Sequence, residues 1–141
     1  MSLSTIQITP IREIPTPGGN VLHGLKSNDS SFNGFGEAYF SWVEVGSIKA
    51  WKRHNMMIMN LIVPVGNVHF AFYDSNTNDF FNTTIGESNY SRITVPSGIW
   101  FGFQGLTSPK SLVLNISNIP HDPSETDRLE VSKIPYEWVN V

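Results

Sequence analysis

Short segments in which apolar and polar residues alternate recur along most of the chain, and glycine, proline and asparagine separate them. Alternation with a period of two is typical of a β-strand with one buried face. The pattern predicts strands at 37–44, 48–54, 59–63, 68–73, 80–85, 91–95, 100–105 and 112–116. Strands at this spacing, with few helical signals between them, favour a β-sandwich or a β-barrel. The sequence therefore predicts an all-β protein.

Length and composition narrow the class of protein further. A chain of 141 residues is expected to form one domain, and 40% hydrophobic with 15% charged residues is typical of a globular protein. The net charge of -3 provides no field that attracts nucleic acid or anionic lipid. The absence of cysteine excludes disulfides and thiolate metal sites. Because no apolar run approaches the roughly 20 residues of a membrane span, we expect a cytoplasmic protein without membrane or nucleic-acid partners.

The two ends of the chain differ from its middle. Residues 1–14 alternate weakly at Ile6 and Ile8, and prolines interrupt the pattern, which is typical of an edge strand or an arm. Such an arm can cover the sheet edge of a partner subunit, so we expect a homodimer. The polar tail at 121–128 predicts one helical turn capped by Ser124.

The chain's dense basic cluster lies inside an apolar strand and falls within six residues, at Lys49, Lys52, Arg53 and His54. Strand alternation predicts one common face for Ile48, Ala50, Lys52 and His54. Histidine suits proton transfer next to a carbonyl because its ordinary pKa lies near neutrality. A lysine beside it can bind a diphosphate or an enolate oxygen, or act as a base when desolvated. The alternative is structural, with His54 bonded to backbone at the strand end and Lys52 extended to the rim.

Two segments resemble the sequence motifs of cupin-fold sugar-nucleotide isomerases, which include dTDP-4-dehydrorhamnose 3,5-epimerase and dTDP-sugar 3,4-ketoisomerase. They are residues 49–66, Lys-Ala-Trp-Lys-Arg-His-Asn-Met-Met-Ile-Met-Asn-Leu-Ile-Val-Pro-Val-Gly, and residues 95–103, Val-Pro-Ser-Gly-Ile-Trp-Phe-Gly-Phe. The resemblance implies a cupin jelly-roll barrel, or double-stranded β-helix, over residues 1–141. It also implies homodimers that share N-terminal strands, here residues 1–14, and metal-free action on deoxythymidine-diphosphate-linked 4-keto sugars.

The same resemblance implies three catalytic residues. In the 3,5-epimerases the segment matching 49–52 reads Arg-Gly-Leu-His, so Lys52 stands in the place of the histidine that removes the proton. The 3,4-ketoisomerases carry His-x-His, of which His54 matches the second histidine and Lys52 replaces the first. Tyr39 matches a strand tyrosine of that branch, and Asn60 falls where the epimerases have a catalytic lysine.

Five further residues are predicted to bind substrate: Lys49, Arg53, Asn60, His69 and Trp100. His69 faces inward or outward according to the register of its strand, and Trp100 can stack a nucleotide base or belong to the core. We expect neither a metal nor another cofactor. Lys52 replaces the first ligand of ordinary cupins, and Phe101 stands where their last histidine would be.

Two functions remain open from the sequence. One is an epimerase or ketoisomerase of a nucleotide-linked 4-keto sugar in polysaccharide biosynthesis, which the retained basic cluster favours. The other is a non-catalytic cupin that binds a sugar nucleotide or another carbohydrate, which the missing histidine favours. Fold analogy does not separate them, because one fold hosts many functions.

Overall fold

A computed structural model describes residues 2–141, and within them short strands dominate. The strands are β1 (Gln7–Pro10), β2 (Glu13–Ile14), β3 (Val21–Leu22), β4 (Glu37–Glu44), β5 (Ile48–His54), β6 (Met59–Val65), β7 (Asn67–Asp74), β8 (Asp79–Gly86), β9 (Ser91–Val95), β10 (Trp100–Gly105), β11 (Lys110–Ser117) and β12 (Thr126–Arg128). Short 3-10 turns lie at Leu3–Thr5, Pro123–Glu125 and Val131–Lys133.

The strands form two antiparallel five-stranded sheets. The first sheet has the order β1-β9-β6-β11-β4 and the second the order β12-β5-β10-β7-β8, while β2 and β3 form a separate hairpin. From β4 to β7 and again from β9 to β11, successive strands alternate between the two sheets, as in a jelly roll. The prediction of an all-β jelly-roll barrel is confirmed.

Alternating apolar side chains on the facing sides of the two sheets form the core. On β7 the side chains of Val68, Phe70 and Phe72 are completely buried, and residues from β6, β9 and β11 meet them. Burying one such side chain stabilises the fold by roughly 1.5–3 kcal/mol. The strand alternation seen in the sequence therefore determines which residues enter the barrel.

The C-terminal tail, residues 131–138, covers the outer face of the second sheet. Ile134, Tyr136 and Trp138 pack there against Trp51 and Trp100. Residues 51 and 129 exchange two backbone hydrogen bonds of 2.9 and 3.0 Å, which fix the segment leading into the tail. The outer side of β5, β7 and β10 is therefore a second apolar cluster and not a solvent-facing surface.

The terminal segments that the structure describes both lie on the barrel. The segment 1–14, predicted as an arm, pairs through β1 with β9 of its own chain, so strand sharing with a partner stays a prediction. The turn Pro123–Glu125 begins at Asp122, whose carboxylate accepts from the Ser124 amide at 3.0 Å. The predicted cap at Ser124 is therefore wrong, because the proline after Asp122 already occupies the first position of the turn. Among residues 2–141, no helix has the length and apolar character needed to cross a membrane.

Candidate functional site

A cavity of about 610 Å³ lies between the two sheets, on the side where β4 faces β5. Phe101 and Phe103 of β10 form part of its apolar wall, and Tyr39 of β4 and Asn115 of β11 line the opposite side. The amide of Asn115 donates to the Tyr39 hydroxyl at 3.1 Å. Charged side chains also line the cavity: Lys49, Lys52, Arg128 and Glu130. The cavity therefore combines aromatic surface with three cations and one carboxylate.

An irregularity between β5 and β10 decides which basic residues face this cavity. Lys52 lies opposite Phe101, but Ala50 lies opposite Gly102, so Trp51 is an extra residue on β5. A Cβ atom added at Gly102 would approach the Ala50 Cβ to 2.4 Å, which shows how closely the strands meet there. The predicted common face is wrong for Ile48 and Ala50, because this bulge interrupts the alternation. Ile48 lies opposite Gln104, and Ala50 packs with the second apolar cluster although it also borders the cavity.

The bulge brings both lysines of β5 to the cavity, but only one of their ammonium groups has a hydrogen-bond partner. The Lys49 ammonium donates to the Trp42 carbonyl oxygen at 2.7 Å. The Lys52 ammonium makes no hydrogen bond or ion pair with any residue from 2 to 141. Burial lowers the pKa of Lys52 and the charge of Arg128 lowers it further, whereas Glu125 and Glu37 act in the opposite direction. Lys52 is thus the free, partly desolvated amine of the cavity.

His54 lies two residues beyond Lys52 and forms a buried pair with Glu125. Its Nδ1 is 2.5 Å from the Glu125 carboxylate, and both side chains are only 3% exposed. The carboxylate also accepts from the amides of Met56 at 2.9 Å and Met57 at 3.2 Å. Burial raises the pKa of Glu125, but these hydrogen bonds outweigh burial and the net shift is downward. An ionised carboxylate only accepts hydrogen bonds, so the His54 Nδ1 carries the proton.

This tautomer leaves the Nε2 lone pair of His54 available. Among residues 2–141 the buried Nε2 has no hydrogen-bond partner. Burial lowers the pKa of His54 although Glu125 acts in the opposite direction, so the neutral imidazole is favoured. The ring stacks on Phe101 with its centroid 6.0 Å away, and it does not line the cavity itself. His54 is therefore an oriented, neutral base one layer behind the cavity wall.

Of the eight predicted site residues, Tyr39, Lys49 and Lys52 line the cavity, and His54 lies beside it. Arg53 and Trp100 lie together on the outer side of the second sheet, with the guanidinium 4.7 Å from the indole centroid. Arg53 also pairs with Asp127 at 2.8 Å. The structure thus does not bring Arg53 or Trp100 to the cavity.

The remaining two predicted residues also lie elsewhere. His69 is under the C-terminal tail, where its Nε2 is 2.6 Å from the Tyr136 hydroxyl and its Nδ1 is 3.2 Å from the Thr84 hydroxyl. Asn60 is buried on the outer side of the first sheet, where it accepts from Thr94 at 2.6 Å and donates to the Ser31 carbonyl at 3.2 Å. Strand alternation explains both positions, because their neighbours on β6 and β7 occupy the core.

Sequence reasoning missed Glu125, Arg128 and Glu130. The structure brings Glu125 to His54 across 71 residues of sequence, and β12 then pairs with β5 and carries Arg128 to the cavity. The sequence signal available was weak, because these residues belong to a polar tail that reads as a solvated segment. Within residues 2–141 no three histidine, aspartate or glutamate side chains gather as a metal site would require.

Comparisons with known proteins give close structural matches. No protein-family model and no curated protein matches the chain. A dTDP sugar isomerase from Desulfovibrio desulfuricans G20 superimposes with a TM-score of 0.90 and is 36% identical, covering 95% of this chain and 90% of that one. The 3,5-epimerase RmlC from Legionella pneumophila, in complex with dTDP-4-keto-L-rhamnose, has a TM-score of 0.82 at 12% identity and covers 98% of this chain and 80% of its own. The 3,4-ketoisomerase QdtA from Thermoanaerobacterium thermosaccharolyticum, in complex with TDP, has a TM-score of 0.78 at 13% identity and covers 94% of each chain.

Proposed function

The chain belongs to the dTDP-sugar isomerase family, and we propose that it isomerises or epimerises a nucleotide-linked 4-keto sugar by moving a proton next to the carbonyl. The observation that carries this proposal is the 36% identity to a dTDP sugar isomerase over 95% of the chain. The cavity supports it, because a free lysine lines its wall and an oriented histidine lies directly behind that wall.

The cavity has the chemistry that a nucleoside diphosphate sugar needs. Cationic side chains bind a diphosphate favourably. Three of the chain's nine lysine and arginine residues line this one cavity, namely Lys49, Lys52 and Arg128. Phe101 and Phe103 offer faces on which a base or sugar can stack. The ligands bound by RmlC and QdtA, dTDP-4-keto-L-rhamnose and TDP, are of this chemical class.

In the proposed reaction, the neutral Nε2 of His54 takes the proton next to the carbonyl. Glu125 holds the ring in the required tautomer and stabilises the imidazolium that forms. Lys52 faces the carbonyl oxygen, where a desolvated cation stabilises developing negative charge. Tyr39, on the opposite wall, returns a proton to the other side of the sugar ring. Because His54 lies behind Phe101 and its Nε2 is buried, the step requires the Phe101 ring to shift and open Nε2 to the cavity.

The alternative is a non-catalytic cupin that binds a sugar nucleotide or another carbohydrate. The observation in its favour is that His54 is 3% exposed and does not line the cavity. Both functions require ligand binding at Lys52, whereas only the enzyme requires proton exchange between the bound sugar and solvent.

Substitution of Lys52 tests the shared requirement. We expect Lys52→Met to weaken the binding of deoxythymidine diphosphate about tenfold or more, since a hydrogen bond to a charged group contributes roughly 1.5–3 kcal/mol. Calorimetric titration measures this loss. Lys110→Met is the matched control, because the Lys110 ammonium lies 4.3 Å over the Trp42 ring and does not line the cavity. Equal affinity of the Lys52→Met variant and the wild-type protein would contradict this role.

The outer face of the first sheet supports the proposal of a homodimer. Phe40 is 62% exposed and Trp42 is 47% exposed on β4, next to the partly exposed Leu112 and Leu114 of β11. A contiguous apolar face of this kind marks a protein contact more often than a free surface. A second copy of the chain can cover it by an isologous contact, in which the same face serves both subunits.

A charge on this face should disrupt the dimer. We expect the wild-type chain to sediment as a dimer at micromolar concentration and Phe40→Lys to sediment as a monomer, because an unpaired lysine in the interface has to be desolvated. Met56→Lys is the control, since Met56 is 66% exposed in the β5–β6 connection. Dimers of unchanged stability in the Phe40→Lys variant would contradict the use of this face.

Three further expectations from the sequence stay predictions: catalysis without a metal or cofactor, a role in polysaccharide biosynthesis, and a cytoplasmic location.

A further inference from the structure

Lys52 and Lys49 line the same cavity from one strand, but only Lys49 has a fixed partner. The Lys49 ammonium is held by the Trp42 carbonyl at 2.7 Å. Lys52 is half-buried, and within residues 2–141 its amine has no hydrogen-bond partner. A buried cation is usually paired, so an unpaired lysine in a cavity is poorly explained as a structural residue.

The surroundings of Lys52 shift its protonation equilibrium toward the neutral amine, which is the nucleophilic form. Burial lowers the pKa of Lys52, and the guanidinium of Arg128, on the paired strand β12, lowers it further. Glu125 and Glu37 oppose this shift, but the net direction is downward. Desolvation and a neighbouring cation are two ways by which proteins activate a lysine for attack on a carbonyl.

We propose that Lys52 is a covalent catalyst that forms an imine with the carbonyl carbon of the bound keto sugar. This inference rests on the proposed function and replaces the electrostatic role of the Lys52 cation there with a covalent one. The neutral amine adds to the carbonyl carbon, a C–N bond forms, and the oxygen becomes a hydroxyl group by taking a proton from the nitrogen. That hydroxyl takes one further proton from solvent and leaves as water, so amine, ketone and one proton give a protonated imine and one water, and no oxidant or reductant is needed.

The protonated imine then performs the task that an enolate would otherwise need. The C–H bond next to the former carbonyl breaks, its electron pair forms the enamine double bond, and the positive charge on nitrogen is neutralised. The proton goes to the base of the site, which the proposed function assigns to His54.

Reductive trapping tests the covalent step. The full-length protein is incubated with dTDP-4-keto-6-deoxyglucose and sodium cyanoborohydride, and the intact mass and the modified peptide are measured. We expect a gain equal to the mass of the substrate minus one oxygen atom, located on Lys52. Lys110→Arg should keep this adduct, because the Lys110 ammonium lies over the Trp42 ring and does not line the cavity. Lys52→Arg should lose the adduct and slow deuterium exchange into the sugar at least about 100-fold, although the cation is retained.

The outcomes separate this inference from the function on which it rests. Deuterium exchange in the wild-type protein without any trapped adduct would overturn the imine and leave the isomerase intact. An adduct spread equally over Lys49 and Lys52, or rapid exchange in Lys52→Arg, would overturn it as well. If the wild-type protein neither binds the sugar nucleotide nor exchanges its protons, the proposed function fails and the imine fails with it.

Discussion

Replacement of His54 by asparagine is expected to slow deuterium exchange between solvent and bound dTDP-4-keto-6-deoxyglucose by about 10²- to 10⁴-fold, the usual contribution of one positioned base. Asparagine can still donate to Glu125, so the buried carboxylate keeps a partner and the fold is preserved. Affinity for deoxythymidine diphosphate should change little, because the diphosphate cations remain. Mass spectrometry of the recovered sugar measures the exchange.

His23→Asn is the control for this substitution, because His23 lies outside the cavity between the sheets. The His23→Asn variant should exchange deuterium into the bound sugar at the wild-type rate. Retention of the full rate in His54→Asn would show that another group removes the proton.

The pH dependence of the same reaction follows from the state of His54. Because burial lowers the pKa of His54 from its ordinary value of 6.5, the neutral base persists below pH 6.5. The exchange rate should therefore fall to half of its maximum at a pH below 6.5, as the imidazole becomes protonated. The fall should be absent from the residual rate of His54→Asn.

Replacement of Glu125 by alanine should give the largest loss of stability among the site residues, about 3–5 kcal/mol in the free energy of unfolding. Glu125 is 4% exposed and accepts hydrogen bonds from His54 and from the amides of Met56 and Met57. Alanine leaves the buried donors of His54 and Met57 unpaired, and an unpaired buried donor keeps its desolvation cost. Urea denaturation followed by tryptophan fluorescence measures this loss.

The matched control is Asp127→Ala, two residues further along the tail. The Asp127 carboxylate pairs with Arg53, but its side chain is 44% exposed, so water replaces the lost partner. The variant should therefore unfold close to the wild-type midpoint. Equal losses for the two variants would contradict the assignment of Glu125 as a buried anchor.

The fold was predictable because strand alternation and turn residues are local signals. The predicted strands at 37–44, 48–54, 91–95 and 100–105 coincide with β4, β5, β9 and β10. A strand whose one face packs against the opposite sheet must present apolar side chains at every second position. This requirement is visible in the sequence without knowledge of the strand's partners. The jelly roll itself came from the resemblance of two motifs and not from alternation alone.

The site was only partly predictable, because non-local contacts decide it. The bulge at Trp51 places Lys49 and Lys52 on the same side of β5 although three positions separate them, and this depends on the register with β10. Glu125 reaches His54 only because the polar tail returns to β5, and no local pattern marks that return. The C-terminal tail, residues 131–138, covers His69 and Trp100, which would otherwise belong to an open face of the second sheet. Local periodicity predicts which residues share a face of a strand, but it does not predict which part of the molecule covers that face.

Solvent deuterium exchange in the wild-type protein is the most direct test of the proposal that this cavity moves a proton next to a carbonyl. The protein is incubated in deuterium oxide with dTDP-4-keto-6-deoxyglucose, and the site of incorporation is read by nuclear magnetic resonance. We predict that deuterium enters at a carbon next to the carbonyl faster than in buffer, and that Lys52→Met and His54→Asn both lose this enhancement. Saturating binding of the sugar nucleotide with exchange no faster than in buffer would contradict the isomerase and select the non-catalytic binder.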